Sequence, residues 1–141
     1  MNKLLLKEYS DLPDYMTVED LEKYFTELIN YAIKISGIDD ESIAEALYEL
    51  SDRQWHTYEL INKDIKDSIE EWINKVWNTN STELIDSITS IIGMLGLVKS
   101  FELVKKSINE DISCEVREIL KMTIKELNIH VGDPYSGMRH L

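Results

Sequence analysis

Apolar residues recur three or four positions apart along most of this chain, which is the spacing of an amphipathic helix. The pattern predicts one helix beginning at Thr17 and another opened by Asp39-Asp40-Glu41. The Ser51-Asp52 pair indicates a break, and Trp55–Ile61 indicates a third helix whose length the pattern leaves open. No segment alternates as a half-buried strand does, so we expect an all-α fold. The first two helices should turn inward Leu21, Tyr24, Phe25, Leu28, Ile29, Ala32 and Ile33, and then Ile43, Ala44, Leu47, Tyr48 and Leu50.

An internal repeat with an offset of 32 residues organises the second half of the chain. The segment Ser68–Leu97 aligns without a gap on Ser100–Ile129. Each copy reads as a helix, a short polar break and a second helix, with Ser81 and Ser113 at the matching N-caps. Two helices per unit and a period in the thirties are typical of an α-solenoid, whose stacked units offer an extended surface to a partner.

The stretch Phe101–Leu127 resembles a HEAT repeat. Its turn is Asn109-Glu110-Asp111, and Val116-Arg117 opens its second helix, both features that recur in that family. The earlier copy has Ile85 in place of the arginine and resembles the family less closely, and residues 39–67 form a degenerate first unit in this interpretation. The resemblance implies a right-handed α-solenoid of about three HEAT-like helix pairs with an N-terminal helix.

A second resemblance is carried by the run Ala46-Leu47-Tyr48-Glu49-Leu50, by Trp55-His56 with Glu59-Leu60-Ile61, and by the later stretch Ile92-Gly93-Met94-Leu95-Gly96. This set is similar to small bacterial HEAT-like proteins, several of which look like immunity proteins of polymorphic-toxin and contact-dependent growth inhibition systems. The resemblance covers about residues 39–129. It implies a protein whose partner is a cognate toxin domain.

Length and composition indicate a single helical domain. The 141 residues divide into a leader at 1–16, expected to pack loosely, a domain at 17–129 and a loosely ordered tail at 130–141. The first residues lack an apolar run of signal-peptide length, and no stretch approaches a membrane span. Because the single cysteine, Cys114, also suits a reducing compartment, we expect a cytoplasmic protein.

The charge of the chain is strongly negative and unevenly distributed. The formal net charge is −12, and residues 1–80 hold 18 acidic and 8 basic side chains, against 9 and 7 in the remainder. Nucleic acid and anionic membrane surfaces are therefore disfavoured as partners. A basic protein would be attracted by this field. The alternative interpretation is that the acidity serves solubility alone.

The sequence carries no recognisable catalytic, cofactor-binding or metal-binding motif. His56, His130 and His140 are far apart, Cys114 has no neighbouring base, and the glycines at 93 and 96 lack the lysine of a phosphate-binding loop. We therefore expect no cofactor, no metal and no enzymatic activity. A HEAT-like DNA glycosylase would need a basic concave face, which the charge opposes.

The candidate residues for binding a partner are carboxylates and large aromatics. Trp72 fits the buried stripe, whereas Trp77 at a helix end is the candidate surface anchor, because tryptophan is enriched in binding hot spots. His56 is expected to serve as a structural hydrogen-bonding residue that, on a binding face, could confer pH sensitivity. Asp86 and Glu118 are equivalent by the offset and should align as an acidic ridge. The full candidate set is Asp39, Asp40, Glu41, Glu45, Asp52, Trp55, His56, Asp64, Asp67, Glu71, Trp77, Asp86 and Glu118.

Two function hypotheses from different classes follow. The first is an immunity protein that occludes the active site of a basic toxin domain, most plausibly a nuclease, with carboxylates standing in for substrate phosphates. The alternative is a generic HEAT-like scaffold or regulatory adaptor without a toxin partner.

Overall fold

The computed structural model describes residues 6, 8–34, 39–128 and 130–135. Within these ranges the chain forms helices and no strand, which confirms the all-α prediction. A short 3₁₀ helix (Tyr9–Asp11) precedes six α-helices. These are α1 (Val18–Lys34), α2 (Asp40–Trp55), α3 (Lys63–Val76), α4 (Thr82–Leu95), α5 (Val98–Ser107) and α6 (Cys114–Leu127).

Side-chain caps fix where most of the helices begin. The Ser81 hydroxyl accepts from the Leu84 N–H at 3.2 Å, and Ser113 accepts from the Val116 N–H at 3.1 Å. These two caps open α4 and α6, whose bounds differ by the offset of 32 found in the sequence. Similar caps open the earlier helices: Thr17 for α1, Asp39 for α2 and Asn62 for α3. The sequence therefore identified the caps correctly at Thr17, Ser81 and Ser113.

The helices pack as two layers around one core. One layer consists of α2, α4 and α6, in which α4 contacts both of the others; we call it the second-helix layer. The other consists of α1, α3 and α5, in which α3 contacts both of the others; we call it the first-helix layer. The two layers join where α1 packs on α2 and α5 packs on α6. Positions equivalent in the repeat are buried together between the layers, as the sequence pattern predicted: Ile69 and Phe101, Trp72 and Val104, Leu84 and Val116, and Ile88 and Leu120.

The predicted break at Ser51-Asp52 is wrong, because α2 continues to Trp55. The Ser51 hydroxyl donates to the Leu47 carbonyl one turn earlier, at 2.7 Å, so the hydroxyl has a partner and Ser51 is buried without breaking the helix. The predicted third helix over Trp55–Ile61 is also wrong. A turn follows α2 there, with Tyr58 in the left-handed region at φ 60°. The N-terminal helix α1 packs against α2, and α3 begins directly after Asn62.

Two burial predictions are also corrected. Ile33 is 61% exposed and Tyr48 is 39% exposed, although both were expected to face inward. Thr89 is buried on α4, where its hydroxyl donates to the Ile85 carbonyl at 2.9 Å. Tyr31, which the pattern did not include, is buried in α1.

The described part of the leader is anchored, contrary to the expectation of loose packing. Leu6 and Tyr9 are buried, and the Arg53 guanidinium, itself 4% exposed, reaches across from α2. Arg53 donates to the Pro13 carbonyl at 2.9 Å and to the Leu12 carbonyl at 2.8 Å. This clamp exists because an arginine fork can satisfy several carbonyls at once.

The described part of the tail is also packed, which differs from the prediction for 130–135; residues 136–141 lie outside the described ranges. Tyr135 is buried, and its hydroxyl donates to the Gln54 carbonyl at 3.1 Å and the Glu59 carbonyl at 3.3 Å. The segment that leads to Tyr135 packs against Gly96, the residue at φ 70° that ends α4, through Pro134. A strap of residues 130–135 thus ties the end of α6 back to the end of α2.

Candidate partner-binding face

Two adjoining grooves cross the outer side of the second-helix layer. The first groove, about 710 Å³, lies between α2 and α4, and the second, about 490 Å³, lies between α4 and α6. Tyr48, Asp86 and Ser90 line both grooves, so the two are continuous. We call this surface the groove face.

Helical spacing explains why these side chains meet. Glu45 and Glu49 are four residues apart on α2, and Met122 and Glu126 are four apart on α6, so each pair lies on one side of its helix. Asp86 and Ser90 have the same relation on α4, between the two. Because α2, α4 and α6 are neighbours in one layer, the three helices present their stripes to the same side.

The groove face is negatively charged. Glu45, Glu49 and Asp86 line the first groove, and Glu126 joins Asp86 in the second. No lysine or arginine stands among the described residues that line either groove. Glu49 Oε1 is 3.2 Å from Arg53 Nη1, but Glu45, Asp86 and Glu126 have no ion-pair partner within the described part of the chain. Their charges are therefore available to an external cation.

The second groove adds apolar surface to these charges. Met94, Ile119 and Met122 line it, and Met122 is 59% exposed. Methionine side chains are flexible and polarizable, so they adapt to irregular partner surfaces. A charged groove with an apolar bed suits a protein ligand better than a small polar ion.

Trp55 lines the second groove and is held by its neighbours. Its ring lies 5.2 Å from the ring of His56 and 6.2 Å from that of Tyr135. His56 Nδ1 is 2.8 Å from the Asp52 carbonyl; since a carbonyl only accepts, Nδ1 carries the proton. His56 thus has the structural hydrogen bond that the sequence suggested, and the strap supports Trp55 through Tyr135.

The structure brings several of the predicted residues to this face. Glu45, Asp86 and Trp55 line the grooves. Asp52 and His56 lie at the Trp55 end of α2, with His56 Nδ1 3.9 Å from Asp52 Oδ1. Outside the grooves, Glu118 is exposed on α6, where its carboxylate is 3.9 Å from the Lys121 ammonium.

Three of the predicted acids belong to the N-terminal end of α2 instead. Asp39 caps the helix, accepting from the Glu41 N–H at 3.0 Å, and Asp40 is exposed in its first turn. Glu41 accepts a hydrogen bond from the Ser81 hydroxyl and so links the starts of α2 and α4. Helix capping and packing account for Asp39 and Glu41.

The remaining predicted residues lie on the first-helix layer, away from the grooves. Asp64 and Glu71 are exposed on α3, and Asp67 is 3.0 Å from the Lys63 ammonium, which lowers the pKa of this carboxyl. Trp77 follows α3, is half-buried, and donates from Nε1 to the Ser107 hydroxyl at 3.0 Å. The indole of Trp77 therefore holds α3 against α5, and its predicted role as a partner anchor stays a prediction.

Sequence reasoning missed Tyr48, Glu49, Met122 and Glu126. Tyr48 was assigned to the core because it follows Leu47 in an apolar stripe. A signal for Met122 and Glu126 was present: they are equivalent by the offset of 32 to Ser90 and Met94, which line the same groove.

A scan against protein-family models, a search of curated proteins and a search of solved structures found no match to this chain. Among the described residues, no group of three or more His, Cys, Asp or Glu side chains could hold a metal ion. Within the same ranges, no helix has both the length and the apolar character needed to cross a membrane.

Proposed function

We propose that this chain is an immunity-type binding protein that covers a basic toxin domain with its groove face. The observation that supports this proposal best is the pair of adjoining grooves. They hold three carboxylates that no ion pair neutralises, and no cation stands among their described lining residues. A partner rich in lysine and arginine would supply the missing charges.

The proposed architecture is a short α-solenoid of HEAT-like pairs. The pairs are α1–α2, α3–α4 and α5–α6, stacked in sequence so that the second helices line one side. The offset of 32 and the two-layer packing support this arrangement. In such a stack each unit adds a strip to one continuous binding surface.

The proposed mechanism is stoichiometric occlusion. A nuclease domain binds phosphates with a basic cleft, and carboxylates spaced over the groove face can occupy that cleft in their place. Met94, Met122 and Tyr48 supply the apolar contact area that charge pairs alone lack. The net charge of −12 speeds the encounter. In this proposal the protein acts in the cytoplasm, binds neither nucleic acid nor membrane, and catalyses no reaction.

The direct test is co-expression with the product of the neighbouring gene, scored for cell survival and for co-purification. We expect rescue and a one-to-one complex. A groove variant (Glu45→Gln, Asp86→Asn, Glu126→Gln) should weaken the complex and reduce rescue.

A matched control removes three carboxylates from α3 in the first-helix layer (Asp64→Asn, Asp67→Asn, Glu71→Gln). Both variants change the net charge by the same amount, so a difference between them reports the binding face. Equal weakening by the two would contradict a specific groove face and leave only long-range attraction. No rescue and no complex in the unaltered protein would reject the toxin partner and favour a generic scaffold.

A further inference from the structure

Tyr48 stands where the two grooves meet. With Asp86 and Ser90 it lines both grooves, and its ring is partly open to solvent although it lies in the interior of α2. Because 39% of Tyr48 is exposed, its ring can contact another molecule. Among the described residues, Tyr48 is the aromatic side chain that lines both grooves.

Carboxylates approach the Tyr48 position from two helices. Glu45 lies about one turn before it on α2, and Asp86 lies on the neighbouring α4. Neither carboxylate has an ion-pair partner within the described part of the chain, whereas Glu49 is already paired with Arg53. The Ser90 hydroxyl donates to the Asp86 carbonyl at 3.1 Å, so its oxygen remains able to accept. The junction therefore combines an aromatic face with several unmatched acceptors.

We propose that this junction receives an arginine side chain of the partner, whose guanidinium stacks on Tyr48 and donates to Asp86 and Glu45. This inference rests on the proposed function, since it names the group through which the basic partner is anchored. A guanidinium is planar and carries five donors, so it can stack on a ring and pair with carboxylates at the same time. A lysine ammonium is a compact point charge with no planar face to stack on the ring, so it fits the junction less well. The junction thus selects arginine over lysine.

The test compares two probes of equal charge, acetyl-hexaarginine amide and acetyl-hexalysine amide, by calorimetric titration of the whole chain. We expect the arginine peptide to bind about 2- to 5-fold more tightly, which is the effect of one exposed cation–π contact. Tyr48→Leu keeps the bulk but removes the ring and should abolish that preference. Tyr48→Phe keeps the ring and should retain it.

The matched control is Tyr15→Leu, because Tyr15 is 80% exposed and lies outside both grooves. This variant should keep the preference for arginine. Equal affinities of the two peptides for the unaltered chain would overturn the proposal, and so would a preference that survives Tyr48→Leu.

The peptide titration needs no toxin, so its result is separate from that of the co-expression test. A toxin complex that is equally tight with Tyr48→Leu would overturn the arginine junction while leaving the proposed function standing. A Tyr48-dependent arginine preference in a chain that forms no toxin complex would support the junction and count against the proposed function.

Discussion

Replacing Arg53 by methionine tests how the leader is held against the helices. Arg53 is buried, and its guanidinium donates to Leu12 and Pro13 in the leader and, from Nη1, to the Glu49 carbonyl on its own helix. Methionine matches the aliphatic stem of arginine but lacks the guanidinium, so packing along the stem is kept while all the donors are removed. The change also bears on the binding face, because Leu6 and Ser10 of the leader line the first groove.

The structure sets the size of the effect. A hydrogen bond to a charged group contributes about 1.5–3 kcal/mol. Three bonds join Arg53 to the leader, two of them short, at 2.9 and 2.8 Å, and a third, to the Ser10 carbonyl, long, at 3.5 Å. The freed carbonyls of Leu12 and Pro13 lie near the surface and can bond to water, which recovers part of the loss. We therefore expect the free energy of unfolding to fall by about 2–4 kcal/mol.

Urea denaturation followed by circular dichroism measures this change as a shift of the midpoint by about 1–2 M. The matched control is Arg117→Met. Arg117 makes a comparable clamp to the Ile108 and Glu110 carbonyls but is only half-buried, so about 0.5–1.5 kcal/mol is expected. Hydrogen exchange of the Leu12 amide should quicken in the Arg53 variant alone. An Arg53→Met variant that loses no more stability than Arg117→Met would refute the clamp.

Three further predictions concern the strap and the leader. Gly96→Ala should lower the free energy of unfolding by about 1–3 kcal/mol, because φ is 70° and the new Cβ would lie 3.0 Å from Pro134 Cδ. Gly93→Ala lies in a regular part of α4 with only ordinary contacts, so it should raise that free energy by up to about 1 kcal/mol. Urea denaturation of the two variants makes the comparison. Tyr135→Phe should cost about 1 kcal/mol in the same assay, since its hydroxyl bonds two carbonyls, and a loss below the error of the measurement would contradict the strap. Burial raises the pKa of the Tyr9 phenol above its ordinary 10.0, so unfolding releases its proton more readily and stability should fall as pH rises above about 10. Tyr9→Phe should reduce that fall, and the part that remains belongs in part to Tyr135, whose phenol pKa is also raised by burial. Since the buried Tyr9 hydroxyl has no hydrogen-bond partner in the described part of the chain, the variant should be no less stable at pH 7.

The sequence predicted the helices whose polar breaks and caps are local. α4 and α6 follow from Ser81, Ser113 and the repeat, and the structure gives both the same length and the same capping hydrogen bond. Such features depend on residues within one turn of each other, so periodicity and cap chemistry reveal them.

What the sequence could not reveal depends on contacts between distant residues. Ser51 looked like a break because its burial requires packing that periodicity does not report. Gln54 is buried under a tail residue that follows it by 81 positions. The Arg53 clamp joins residues about 40 positions apart. The buried polar groups of Ser51 and Arg53 are satisfied by their own helix and by the distant leader, respectively.

The candidate site was predicted in part. Glu45, Trp55 and Asp86 lie on the groove face, because their helices are neighbours in one layer. Charge alone could not separate them from Asp64 and Glu71, which lie on the other layer. Acidic residues that look alike in the sequence can lie on different helix layers, and only the packing of the helices shows which layer each belongs to.

Hydroxyl-radical footprinting of the chain, alone and in complex with its co-expressed partner, tests the proposed binding face most directly. The method reports the solvent access of individual side chains, and the exposed Tyr48 and Met122 lie on the groove face while the exposed Tyr15 does not. We expect Tyr48 and Met122 to be protected in the complex and Tyr15 to stay reactive. Protection centred on Trp77 and the α3 helix, with Tyr48 and Met122 unchanged, would contradict the groove face and move the interface to the first-helix layer.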